Sequence, residues 1–290
     1  MADQFVWSAP DGTVIDFTDE ANGYRVLASG TRGLRSVTYE MTTSKWVGID
    51  GETVDAIRAV GNEITLGLIL NADDEATFRA RVRTLVRAMR PKAGLGTLRV
   101  ANTFGKARSL DCYCTGGLEG DASPDVTLDG AWWRLALKLY APDPWWYGEQ
   151  KSLDVGLGTG TAFFPIPPIN LAPATVQGRF TVDLTDSDTL VYPQWVVTGP
   201  GSSLTLTNIT TGRVITVNAA LTTGETMIID TRPGLQSVRK ADGVNLMGAL
   251  DSDPALWPLI DGVNEISAAL TGATTDSRIA GVWRPRYAGI

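Results

Sequence analysis

The stretch Leu135-Ala136-Leu137-Lys138-Leu139-Tyr140-Ala141-Pro142-Asp143-Pro144-Trp145-Trp146-Tyr147-Gly148 decides how this chain is read. It is a strand cut short by two prolines, with three aromatic residues crowding the corner. Upstream, Trp133, Leu135, Leu137 and Leu139 alternate with Trp132, Arg134, Ala136, Lys138 and Tyr140, so one set faces a core and the other faces away. A proline has no N–H to give to a strand ladder, and Pro142 and Pro144 end it. The stop falls near the middle of 290 residues, a length that suits about two domains. A first domain over residues 1–148 is expected, then an extended linker over 149–178, rich in Gly, Pro and Thr, and a second domain over 179–290.

Working outward, residues 3–40 hold short strand-like runs at 4–7, 14–17, 24–27 and 36–39. Pro10-Asp11-Gly12, Asn22-Gly23 and Thr31-Arg32-Gly33 punctuate them with hairpin chemistry. Residues 64–70 are β-rich and apolar. One segment has a helical period: over residues 73–90, Phe78, Val82, Leu85, Val86 and Met89 form one apolar stripe. Asn71 or Asp73 can cap it, acids sit in its first turn, arginines in its last, and Pro91 and Gly94 stop it. Strands resume at 96–100 and 109–114. From Arg179 onward, short runs at 180–182, 194–197, 203–207, 213–217, 226–230, 263–266 and 279–283 recur between Gly-containing turns without a helical period, which predicts a β-sandwich or jelly roll.

Composition removes several functions. The net charge of −7 argues against a general affinity for nucleic acid, and no run approaches the ~20 apolar residues of a membrane helix. The opening Met1-Ala2-Asp3-Gln4 lacks a signal-peptide pattern. Cys112 and Cys114 share one strand face at a spacing that suits a disulfide poorly, and read as two reduced thiols. Histidine is absent, so there is no neutral-pH imidazole base, and no Ser-nucleophile motif, P-loop or zinc spacing is present. Gly156-Leu157-Gly158-Thr159-Gly160-Thr161 is Gly-rich but lacks the strand–turn–helix setting of a phosphate cradle. Asp251 and Asp253 read as turn residues rather than a carboxylate pair, and Asn208-Ile209-Thr210 as a chance sequon. No catalytic residue, cofactor or metal is expected.

The order of the parts resembles the distal tail protein (Dit) family of siphophages, the long-tailed non-contractile bacteriophages. Four features carry the resemblance. They are the 73–90 helix with Lys92-Ala93-Gly94-Leu95-Gly96 after it; the 139–146 corner; the hairpin from Pro193-Gln194-Trp195-Val196-Val197-Thr198-Gly199 to Thr210-Thr211-Gly212, with its continuation over 223–231; and residues 259–266 before a final strand from Trp283 to Tyr287. The resemblance implies a mainly β fold: an N-terminal split β-barrel-like domain bearing one helix and a C-terminal galectin-like β-sandwich. It implies a homo-hexameric ring at the distal end of the phage tail, made in the host cytoplasm and joining the tail tube protein to the tail-tip or baseplate hub and tape-measure proteins. The tryptophan-bearing N-terminal portion is similar to minor tail proteins of phages that infect actinobacteria.

Independently, open strand edges must be covered or paired, and a head-to-tail contact that closes makes a ring. Candidate subunit or tube contacts are Arg79, Arg83 and Arg87 on one helix face, and Trp132. The alternative for the arginines is a solvated face with a Glu75–Arg79 pair. Pro142, Pro144, Trp145, Trp146 and Tyr147 form the expected interdomain corner, with plain corner packing as the alternative. Trp195, Trp257 and Trp283 are the candidate glycan or partner contacts of a tail adhesin, the competing function, with core packing as the alternative.

Overall fold

A computed structural model describes residues 3–48, 50–119, 125–127, 130–156, 175–251 and 256–290. The first of two units comprises Met1–Gly148 with Tyr287–Ile290, and the second Glu149–Arg286. In the first unit the strands are β1 (Gln4–Ser8), β2 (Val14–Asp16), β3 (Tyr24–Arg32), β4 (Thr38–Ser44), β5 (Thr53–Val60) and β6 (Asn62–Ala72). After helix α1 (Glu75–Ala88) come β7 (Gly96–Ala101), β8 (Ala107–Gly116), β9 (Asp125–Thr127), β10 (Gly130–Ala141) and β11 (Trp146–Tyr147). The main sheet runs β2-β1-β7-β8-β10-β6-β3, with β9 beside β10 and β11 beside β8. Strand β8 divides its pairing, with β7 over residues 107–112 and with β10 over 113–116, where a bulge interrupts the register.

The quoted stretch becomes the centre of this unit. Strand β10 pairs antiparallel with β6 so that Leu139 faces Ile64, Leu137 faces Leu66, Leu135 faces Leu68 and Trp133 faces Leu70. The leucines and Ile64 are buried, and each apolar cross-strand pair shields its partner from water. Fully burying one such side chain is worth about 1.5–3 kcal/mol. Helix α1 packs on β6 and β10 through buried Phe78, Leu85, Ala88 and Met89. Gly96 is required where β7 passes the β1 indole, because a Cβ there would lie 2.2 Å from the Trp7 ring.

The helix is shorter than the expected 73–90, and its cap is Asp74, not Asn71 or Asp73. The Asp74 carboxylate accepts from the Thr77 backbone N–H at 2.8 Å and from its hydroxyl at 2.6 Å. Val86, expected in the apolar stripe, is exposed on its flank. A larger departure lies upstream. Only residues 36–39 were expected as strand there, yet β4 and β5 form a hairpin of their own, a two-stranded sheet separate from the rest.

The second unit holds β12 (Lys151–Gly156), β13 (Thr175–Leu184), β14 (Gln194–Thr198), β15 (Ser203–Asn208), β16 (Arg213–Val217), β17 (Thr226–Asp230), β18 (Ser237–Lys240), β19 (Gly262–Thr271) and β20 (Arg278–Trp283). A final short strand, β21, is Arg286–Tyr287. One sheet runs β12-β20-β14-β17-β18 and the other β13-β19-β15-β16, all antiparallel. Inward residues of both, among them Trp195, Met227 and Ile229 with Leu206, Ile266 and Leu270, share one core. This is a β-sandwich. The fold class is therefore the expected one: mainly β, with a single α-helix among the described residues.

Two expected boundaries differ. Residues 151–156, assigned to the linker, form edge strand β12, with Lys151 opposite Trp283 and Gly156 opposite Arg278, and β13 already begins at Thr175. Residues 157–174, including most of the Gly-rich loop, lie outside the described residues. Tyr287–Ile290 sort with the first unit rather than the second. The Arg108 guanidinium lies 3.7 Å from the Tyr287 ring centroid, and the Ile290 N–H donates to the Leu34 carbonyl at 2.9 Å.

Candidate functional site

The β4–β5 hairpin is the most exposed regular element of the first unit. Its register places Met41 opposite Ile57, Tyr39 opposite Ala59 and Glu40 opposite Arg58. Alternation therefore sorts Tyr39, Met41, Ile57 and Ala59 onto one face and the Glu40–Arg58 ion pair (2.6 Å) onto the other. A hairpin lying on its own domain would bury its apolar face. Here Tyr39, Met41 and Ile57 are all more than half exposed. The tip continues the pattern: Trp46 is 65 % exposed and Val47 fully exposed, Asp50 is exposed, and the Lys45 ammonium meets the Glu52 carboxylate at 2.9 Å. An isolated two-stranded sheet is marginal in water, so this one presents surface that suits a partner.

A cavity of about 820 Å³ opens beside the root of the hairpin. Phe5, Val26, Leu27 and Val100 supply its apolar wall, and Arg32, Arg35, Lys106 and Arg108 its charge, with Asp3 as the acid of the set. Arg108 is half-buried and donates to the Gly289 carbonyl. Arg32, Arg35 and Lys106 are exposed and form no ion pair among the described residues. In the turn between the lining residues Asn102 and Lys106, Phe104 is 89 % exposed. Neither hairpin nor cavity was singled out from sequence. The signals were the β-branched and apolar residues over 53–60 and the clustering of basic residues at both 32–35 and 106–108.

The expected contact residues are placed as follows. Arg79 is tied to Glu75 at 2.5 Å, an i, i+4 pair, and Arg81 donates to the Asn71 carbonyl at 2.6 Å. Arg83 and Arg87 project from the exposed face of α1 and form no ion pair among the described residues. Trp132 is exposed on the outer face of β10 while Trp133 packs against the core. At the corner, Trp146 is fully buried in the first unit's core, and Pro144 is also buried. Asp143 staples the turn, accepting from the Tyr147 hydroxyl at 2.5 Å and from the Trp145 N–H at 3.4 Å; Pro142 is exposed. Trp195, Trp257 and Trp283 all lie in the second unit's core, Trp195 and Trp257 edge to face at 6.1 Å. None of the three offers the exposed platform that sugar stacking needs.

Burial pushes the Cys112 thiol up to about 12, far from a reactive thiolate. The Asn208 amide is buried and donates to Asn264 at 3.1 Å, which fills the sequon's acceptor position. Among the described residues no three His, Cys, Asp or Glu side chains cluster as metal ligands, and no helix is long and apolar enough to cross a membrane.

Residues 186–287 match the family model of the siphovirus-type tail component, C-terminal domain. Comparison with curated protein sequences returns no match. Among solved structures, the crystal structure of Dit from phage SPP1 superposes at a TM-score of 0.66, with 16 % identity over 99 % of this chain and 100 % of that one. Its title presents that protein as a paradigm of the hub adsorption apparatus in phages infecting Gram-positive hosts. Chains of the phage P2 baseplate in its activated conformation, with calcium and with strontium, align at TM-scores of 0.47 and 0.49. Each has 10 % identity over 93 % of this chain and 98 % of that one. The chain thus shares the fold of SPP1 Dit, and residues 186–287 match the siphovirus-type tail component family in its C-terminal domain.

Proposed function

We propose that this protein is a structural hub of a siphophage tail tip. Copies of it close into a ring that joins the tail tube to the tip or baseplate proteins. The observation that carries the ring is the β4–β5 hairpin: an amphipathic two-stranded sheet whose apolar face, Tyr39, Met41 and Ile57, is exposed to water. A head-to-tail contact covers that face on every copy once the ring closes, whereas an open chain leaves one uncovered. The match of residues 186–287 and the fold shared with SPP1 Dit support the same role. Six copies, the tube and tape-measure proteins as neighbours, and a place in the virion at the distal tail end complete the reading. A carbohydrate-binding adhesin gains no support from Trp195, Trp257 and Trp283, which are buried.

Light scattering on the eluting full-length protein, with negative-stain imaging of the same fractions, tests the proposal. Closed rings of one size are expected. A monomer at every concentration up to the solubility limit, together with absence of the protein from purified tails, would refute it.

A further inference from the structure

We infer that the tip of the β4–β5 hairpin of one copy seats in the cation-lined cavity at the hairpin root of the next copy, so that the cavity is an acceptor site for an acidic, aromatic peptide turn supplied by a second copy of this chain. The inference rests on the ring reading and specifies which surfaces meet.

Three observations converge on it. The first is chemical complementarity. The tip offers Trp46 and Val47, both strongly exposed, beside the Asp50 carboxylate, which has no ion pair among the described residues. The cavity offers an apolar wall of Phe5, Val26, Leu27 and Val100 beneath Arg32, Arg35, Lys106 and Arg108. An indole can rest on that wall while the carboxylate meets a guanidinium, the pairing that favours arginine at protein interfaces. The second is unsatisfied charge. Arg32, Arg35 and Lys106 face one cavity without an ion pair among the described residues, and like charges held together favour an incoming anion.

The third is reach. Strand β4 has seven residues, so the tip stands roughly 24 Å from the root at about 3.4 Å per residue. Leu34 and Arg35 line the cavity just before β4 begins. A straight hairpin therefore cannot place its tip in the cavity at its own foot. It can reach the equivalent cavity of a neighbour. A unit of about 150 residues has a radius of gyration of about 15 Å, so equivalent points on touching copies lie a few tens of ångströms apart. The hairpin is of that length.

Charge reversal with rescue tests the pairing in the full-length chain. Lys106→Glu and, separately, Asp50→Lys are each expected to raise the concentration at half-assembly by about tenfold or more, while leaving the unfolding midpoint unchanged because both side chains are exposed. The double variant K106E/D50K is expected to recover most of the loss. Cysteines introduced as Val47→Cys and Lys106→Cys in one chain should yield, on oxidation, a ladder of covalent multimers that neither single variant gives. If rings form but K106E and D50K assemble normally and the 47–106 ladder is absent, the docking is wrong and the ring reading survives. If rings form and K106E impairs only recruitment of another tail protein, the cavity's occupant is that protein, and the inference is overturned. If the unmodified protein forms no ring at any concentration, the reading beneath it fails and the inference falls with it.

Discussion

The indole N–H of Trp7 donates to the carbonyl of Ala88 across 3.1 Å, tying the first strand of the chain to the last turn of its helix. Ala88 lies among the carbonyls that a helix leaves without an intrahelical partner, and here the bond is made by a buried side chain 81 residues away. Removing the donor strands that carbonyl in an apolar setting. Trp7→Phe is expected to cost about 2–4 kcal/mol, part from the lost bond and part from the space left behind. Gly96→Ala attacks the same contact from the other side by driving a Cβ into the indole, and about 1–3 kcal/mol is expected. Urea unfolding of each variant followed by tryptophan fluorescence checks both. Values within 0.5 kcal/mol of the parent protein would mean that the strand–helix tie contributes little.

Much of this architecture is legible in the sequence because burial repeats with the backbone. Trp133, Leu135, Leu137 and Leu139 alternate and face a core; Phe78, Leu85 and Met89 recur at helical spacing and face the same core. What was missed obeys other physics. Nothing in Met41-Thr42-Thr43 or Ala56-Ile57-Arg58 signals burial, because the hairpin they form is not buried within the chain. Tyr39, Met41 and Ile57 share one face of it, the face that the proposed ring would cover. The cavity is missed for a different reason: residues 32–35 and 106–108 lie about seventy positions apart in the chain, and only the folded sheet brings the end of β3 and the start of β8 to one cavity. The candidate tryptophans Trp195, Trp257 and Trp283 show the reverse. Aromatic residues suit a sugar platform and a sandwich core equally well by composition, and only packing against β17, β19 and β20 separates the two.

Acid should loosen the second unit through one turn. The Glu225 carboxylate accepts from the Thr222 N–H at 2.7 Å and from the Lys240 ammonium at 2.9 Å, and these bonds lower its pKa from 4.5 to about 2. A carboxyl whose folded pKa lies below its unfolded one stabilises the fold in full above the unfolded value. That stability drains away as pH falls toward the folded value. The contribution of Glu225 is therefore complete above about pH 4.5 and gone near pH 2. Glu225→Gln should lower the unfolding midpoint at pH 7, and the difference from the parent protein should shrink steadily between pH 4.5 and pH 2. Calorimetric midpoints across that range provide the check. A gap that stays constant would assign the loss to geometry rather than to charge.

The hairpin face separates stability from assembly. Met41 and Ile57 stand opposite one another and are exposed, so replacing both with lysine removes no core packing. Met41→Lys with Ile57→Lys is expected to leave the unfolding midpoint within 1–2 °C of the parent protein while abolishing rings, because two ammonium groups would have to be dried against the neighbour. Circular dichroism melts and light scattering on the same sample give the two readouts. Intact rings would show that the hairpin's apolar face is not where copies meet.

The arginine face of α1 is a surface of a different kind, and a charge change there should affect a different partner. Arg79 is engaged by Glu75, but Arg83 and Arg87 extend from the exposed side without ion pairs among the described residues, one and two turns along from Arg79. An exposed pair contributes little to folding, so two unpaired guanidinium groups on one face suit an acidic neighbour. Arg83→Glu with Arg87→Glu places acids near the negative end of the helix dipole and is expected to cost roughly 0.3–1 kcal/mol of stability. The larger effect should be on assembly: weaker capture of the purified tube protein, more so at low salt than at high, with ring formation through the hairpin retained. Sedimentation of the variant with tube protein at two ionic strengths distinguishes the cases. Full capture at both would make this a solvated face, and loss of rings would place the α1 arginines within the contact between copies.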